Sequence, residues 1–159
     1  MHFSAALTPV TTTVLLGPGA EDNPLAAWAH DTLVRRLGAG SSAAARRRRS
    51  ELGALRAAVV LVARDRRLSA TLRFDHGQVT VHDGVLGIPD VTLCADHDAL
   101  VALAALPLSR RLRVPWTRGW HPHLARLLSG ELKAYGLLAH PRTLLRVLRL
   151  FAPDESVAA

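Results

Sequence analysis

The hydrophobic pattern changes its period along the chain. Over residues 24–37, Leu25, Ala29, Leu33 and Leu37 recur at helical spacing, with Trp28 beside them and Arg35 and Arg36 turned away. Asp22-Asn23-Pro24 supplies a start, a capping side chain followed by proline at the first helical position, and Gly38 ends the run. After the small residues 38–42, an alanine-rich stretch over residues 43–55 carrying Arg46-Arg47-Arg48-Arg49 predicts a second helix. From Val59 the period drops to two. Residues 59–63 read as a largely apolar strand, and Leu68, Ala70, Leu72 and Phe74 alternate with Ser69, Thr71 and Arg73, a strand with one wet face. Asp75-His76-Gly77 turns the chain, Val79 and Val81 continue the dry face, and Asp83-Gly84 closes a three-strand meander.

A further strand is expected over residues 91–95, after Pro89-Asp90. Asp96 reads as the cap of a helix that bears Leu100, Val101, Leu103 and Ala104 on its face and ends by Pro107. Residues 107–121 read as an irregular basic connection holding Trp116 and Trp120, and Pro122 opens a short helix through Leu128. Residues 131–139 predict a fifth strand. Pro141 then starts a last helix whose wide apolar face holds Leu144, Leu145, Val147, Leu148 and Phe151, with Arg142, Arg146 and Arg149 elsewhere. Residues 3–16 alternate poorly and read as a strand or extended arm. The expected class is α+β, with helices gathered over one face of a sheet of about five strands.

Composition narrows the function. A chain of 159 residues fits one domain with a real core, with 1–53 expected as an arm and helices packed on 54–152, and 153–159 as a disordered tail. A single cysteine, Cys94, excludes an internal disulfide and fits a reducing cytoplasm. No apolar run is long enough to cross a bilayer, and the start lacks the basic and uninterrupted apolar regions of a signal peptide. The formal charge of +7, nearly all from arginine, favours anionic surfaces.

Four pieces of the chain, in order, resemble the sterol carrier protein 2 (SCP2) family of lipid-binding domains. They are Asp83-Gly84, Pro89-Asp90-Val91-Thr92-Leu93, Asp96-His97-Asp98-Ala99-Leu100, and Ser129-Gly130-Glu131-Leu132-Lys133-Ala134-Tyr135-Gly136. The likeness spans about residues 54–151; residues 107–121 are longer than the usual link, and residues 1–50 have no counterpart. It implies a five-stranded sheet and helices enclosing an apolar tunnel for fatty acids, acyl-CoA, sterols or phospholipids; since the chain shows no catalytic motif, the expectation is a non-catalytic carrier of such a lipid or of an isoprenoid, with no cofactor.

On this reading the ligand meets the dry faces of the sheet and the last helix. The candidate lining residues are Leu72, Phe74, Val81, Leu93, Leu103, Leu128, Leu145, Leu148 and Phe151, with Trp116 and Trp120 in a lid at the mouth. Ten methylenes of an acyl chain would supply about 8 kcal/mol before ordering costs. The plainer alternative is that these leucines simply pack on each other. Arg46 to Arg49 offer either a contact with anionic membrane or a solvated helix face. Nucleic acid is disfavoured, since no aromatic residues interleave the cluster.

Three rival readings remain. Arg35-Arg36-Leu37-Gly38-Ala39-Gly40 matches the pyrophosphate loop of acyl-CoA-dependent transferases, but a helix precedes it where a strand is needed. A lipid-presenting accessory subunit of a biosynthetic enzyme is the related alternative, and a basic interaction module is the third. Cys94, His97, His121 and His123 contain ligand types for zinc, yet their spacing favours a buried thiol and solvated histidines. No nucleophile elbow or zinc-protease helix is present.

Overall fold

In the computed structural model, residues 12–38, 40, 42–105 and 129–153 are described. Their elements in chain order are β1 (Thr13–Leu16), α1 (Pro24–Leu37), α2 (Ala43–Gly53), β2 (Arg56–Ala63), β3 (Leu68–Asp75), β4 (Gln78–Asp83), β5 (Val91–Ala95), α3 (His97–Ala104), β6 (Lys133–Tyr135) and α4 (Pro141–Phe151). The strands form one sheet in the order β1-β4-β3-β2-β5-β6. The class is the α+β arrangement expected. The sixth strand is β1, which pairs parallel to β4 at the sheet's edge. An edge strand needs no clean alternation, which is why residues 13–16 carry so faint a strand pattern.

The period-two pattern becomes register. Val59 pairs with Leu72 and Val91, Leu72 with Val81, Leu61 with Ala70 and Leu93, and Leu93 with Ala134. These side chains fall on one face and, apart from the half-buried Ala134 packed against it, belong to one buried cluster with Leu25, Ala29 and Leu33 of α1 and Val147, Leu148 and Phe151 of α4. Helix α1 packs on β1, β3 and β4, α3 packs on β2 and β5, and α4 lies against α1, α2 and α3.

Asn23 fixes α1 to the sheet. Its Oδ1 accepts the N–H groups of Leu25 (2.9 Å) and Ala26 (3.3 Å), while its Nδ2 donates to the Ser69 carbonyl (2.7 Å) and Asp83 Oδ1 (2.6 Å). The expected cap of α3 is corrected: the Asp96 side chain makes no cap bond, and Asp65 in the β2–β3 turn accepts the His97 N–H at 2.8 Å. That hydrogen bond holds the Asp65 carboxyl below its ordinary pKa.

The second correction concerns the fifth expected strand, which pairs only over Lys133–Tyr135 rather than 131–139. Gly136 ends it at φ 78°, and a Cβ there would collide with the Asp90 carbonyl, so the close approach of β6 to Asp90 requires glycine.

Because β5 runs parallel to β2, residues 84–90 carry the chain back along the sheet, on the face away from the helices. Thr71 holds this crossover: its Oγ1 donates to the Gly84 carbonyl (2.7 Å) and accepts from the Leu86 N–H (3.0 Å). A residue on the expected wet face is thereby fully buried.

Candidate hydrophobic site

Beneath α3 and α4 the covered face of the sheet leaves a small apolar niche. Leu61 and Leu93 form its floor, Leu100, Leu103 and Ala104 of α3 one wall, and Val147, Leu148 and Phe151 of α4 another. Trp28 of α1 closes the remaining side, stacked on Phe151 with ring centres 5.8 Å apart and meeting the His97 ring edge-on at 6.2 Å. Among the described residues no charged side chain lines it. The room within the niche is about 20 Å³, where a single water needs about 10–15 Å³. As the side chains stand, a hydrocarbon chain does not fit.

No family profile matches the sequence, and no curated protein does either. The structure is similar to that of a solved UbiJ-SCP2 ubiquinone synthesis protein, with a TM-score of 0.53 and 23% identity over 80% of this chain and 95% of that one. The fold is SCP2-like. Two further solved structures are similar at lower scores. One is a conserved hypothetical protein of Thermus thermophilus, suggested to be a sterol carrier protein (TM-score 0.42, 16% identity, 81% of this chain and 89% of that one). The other is the stereoselective inverting sec-alkylsulfatase Pisa1 from a Pseudomonas species (TM-score 0.47, 19% identity), where the match takes in 67% of this chain and only 14% of that one.

In this SCP2-like domain, Leu93, Leu103, Leu148 and Phe151 meet at the niche. Leu72, Phe74 and Val81 lie instead in the part of the core on β3 and β4, and Leu145 is half-buried outside the niche. Trp116, Trp120 and Leu128 fall outside the described residues, as do the expected basic connection, the short helix before residue 129, and residues 154–159 of the tail. Among the described residues, Trp28, Leu61, Leu100, Ala104 and Val147 also line it. Trp28 had a signal in its place beside the apolar stripe of α1, but its partner, Phe151, lies too far along the chain for any local pattern to pair the two.

The arginine run divides. Arg48 is buried, donating to the Ala152 carbonyl (2.7 Å) and the Arg36 carbonyl (3.4 Å), so it pins the end of α4 to α1 and α2. Arg49 donates to the carbonyls of Gly38 (3.3 Å) and Gly40 (3.1 Å). Only Arg46 and Arg47 of the four are exposed. The Gly38–Gly40 loop leaves the end of a helix with its carbonyls turned to Arg49, and Ser42 Oγ caps α2 through the Ala45 N–H. A phosphate cradle needs free N–H groups fed by a strand. Among the described residues no group of three His, Cys, Asp or Glu side chains could hold a metal, and no helix is long and apolar enough to cross a membrane.

Proposed function

We propose that the SCP2-like domain is a non-catalytic carrier for the hydrocarbon part of a lipid, taken up between β2, β5, α3 and α4. The observation that carries this reading is the apolar niche over Leu61 and Leu93, on the helix-covered face of the sheet. An acyl chain gains about 0.8 kcal/mol per buried methylene. Against this stands the cost of displacing α3 and α4, which reduces the apparent affinity by the fraction of molecules already open. Fatty acids, acyl-CoA, sterols and isoprenoid chains all meet the chemical requirement, and the free thiol of Cys94 suits work in a reducing cytoplasm.

The ubiquinone synthesis protein of similar fold favours one further reading, in which the bound chain is an isoprenoid presented to a biosynthetic enzyme. Native mass spectrometry of the freshly purified protein, then of protein incubated with palmitate, an isoprenoid alcohol and coenzyme A, tests both. The carrier reading predicts a one-to-one adduct with an apolar chain and none with coenzyme A. Protein that stays empty throughout, or binds coenzyme A alone, overturns it.

A further inference from the structure

We propose that the end of the sheet carrying Ile88 and Leu138 docks on an anionic lipid surface. This goes beyond ligand uptake in the niche and stands on different residues. Ile88 is 95% exposed and Leu138 99%, more than any other large hydrophobic side chain among the described residues. They sit on neighbouring loops. Ile88 lies just before Asp90, and Leu138 just after Gly136, whose backbone presses on the Asp90 carbonyl; His140 Nε2 lies 3.9 Å from Asp90 Oδ1.

Both loops are held firmly. Asp90 exchanges two bonds of 2.8 Å with Ala58, its N–H to the Ala58 carbonyl and its Oδ2 from the Ala58 N–H. The His140 N–H closes the other loop on the Gly136 carbonyl at 2.9 Å. Two aliphatic side chains fixed in water at adjacent tips gain nothing within the fold, and scattered single exposures do not place them side by side.

The surroundings select the partner. Exposed Tyr135 stands at the end of β6 beside these tips, an amphipathic ring suited to a headgroup boundary. Arg56 at the start of β2, Arg142 in the first turn of α4, and Arg73, opposite Ala58 on the helix-free face, are exposed around the same end. Two carboxylates face them: Asp75, opposite Arg56 in register, and Asp90, which is engaged by Ala58 and faces His140. The balance is cationic. Convex apolar tips ringed by cations enter a deformable acyl boundary and place guanidinium groups at its phosphates. A folded acidic partner would need matching pockets for both tips.

Co-sedimentation with vesicles of phosphatidylcholine, alone or mixed with phosphatidylglycerol, tests the proposal. The protein is expected to prefer the mixed vesicles, and Ile88→Ser with Leu138→Ser to lower partitioning by about tenfold or more. Arg56→Gln and Arg142→Gln should each cost roughly fivefold at low salt, and Arg46→Gln with Arg47→Gln should cost little. Both tips are exposed, so an unchanged melting midpoint confirms that the fold survives. The tip variant should still take palmitate in native mass spectrometry, which separates this surface from the niche. Equal partitioning of tip variant and wild type, no binding to either vesicle, or equally tight binding to soluble polyglutamate overturns the proposal.

Discussion

The two halves of the helix-covered face use the same residue types and reach different degrees of closure. Under α1, Leu25, Ala29, Leu33, Leu72, Val79 and Val81 are wholly buried. Under α3 and α4, Leu103 and Leu148 retain 7% of their surface and Ala104 retains 9%. The helices explain the contrast. Helix α1 has 14 residues and a cap that also bonds β3 and the end of β4, whereas α3 has 8 residues and α4 starts without a side-chain cap. Short helices owe their stability to packing. The ion pairs of Arg146 and Arg149 with Glu51 that tether α4 are partly exposed and of the kind worth about 0–1 kcal/mol each. On the proposed carrier reading, the half under α1 anchors the fold and the half under α3 and α4 parts around a guest.

The sharpest way to break that contrast is to truncate one leucine in each half. Leu72→Ala and Leu148→Ala should each lower stability by about 2–5 kcal/mol in urea unfolding. Palmitate at a hundredfold excess over its dissociation constant should add about 2.7 kcal/mol to Leu72→Ala, whose niche is intact, and a different amount to Leu148→Ala, whose niche is altered. Equal recovery in both variants, or none in either, would erase the distinction.

The strands were legible because one buried face imposes a period of two, and Leu72, Phe74, Val81 and Leu93 all lie on it. That same regularity hides which leucine borders a void: Leu72 and Leu93 are alike in the sequence and differ in which helix covers them. Long-range partners were hidden as well. Arg48 looks like any member of a solvated basic run, and its burial depends on the Ala152 carbonyl at the far end of the chain. Asp65 caps α3 from a turn 32 positions earlier, so a cap rule that examines neighbours selects Asp96 instead.

A smaller effect is expected from Asn23→Ala, which removes the cap of α1 and leaves the Ser69 carbonyl and the Asp83 carboxylate without its donor. The cost should be about 1–2 kcal/mol, read as a lower denaturation midpoint with palmitate uptake unchanged, since the niche lies under the other helices.

The smallest effect concerns acid. The Asp65 carboxyl is depressed by the His97 N–H, so its contribution is full above the unfolded value of about 3.9 and fades as pH falls through the lower folded value. Melting midpoints below pH ~4 should therefore fall slightly less steeply in Asp65→Asn than in wild type. Parallel curves would show that the bond to α3 contributes nothing.

Amide hydrogen exchange, followed helix by helix with and without palmitate, tests the unequal closure of the two halves most directly. The account predicts that α3 and α4 exchange faster than α1 in the free protein and slow down when palmitate binds, while α1 stays unchanged. Exchange of all three helices at one common rate, untouched by palmitate, would contradict it.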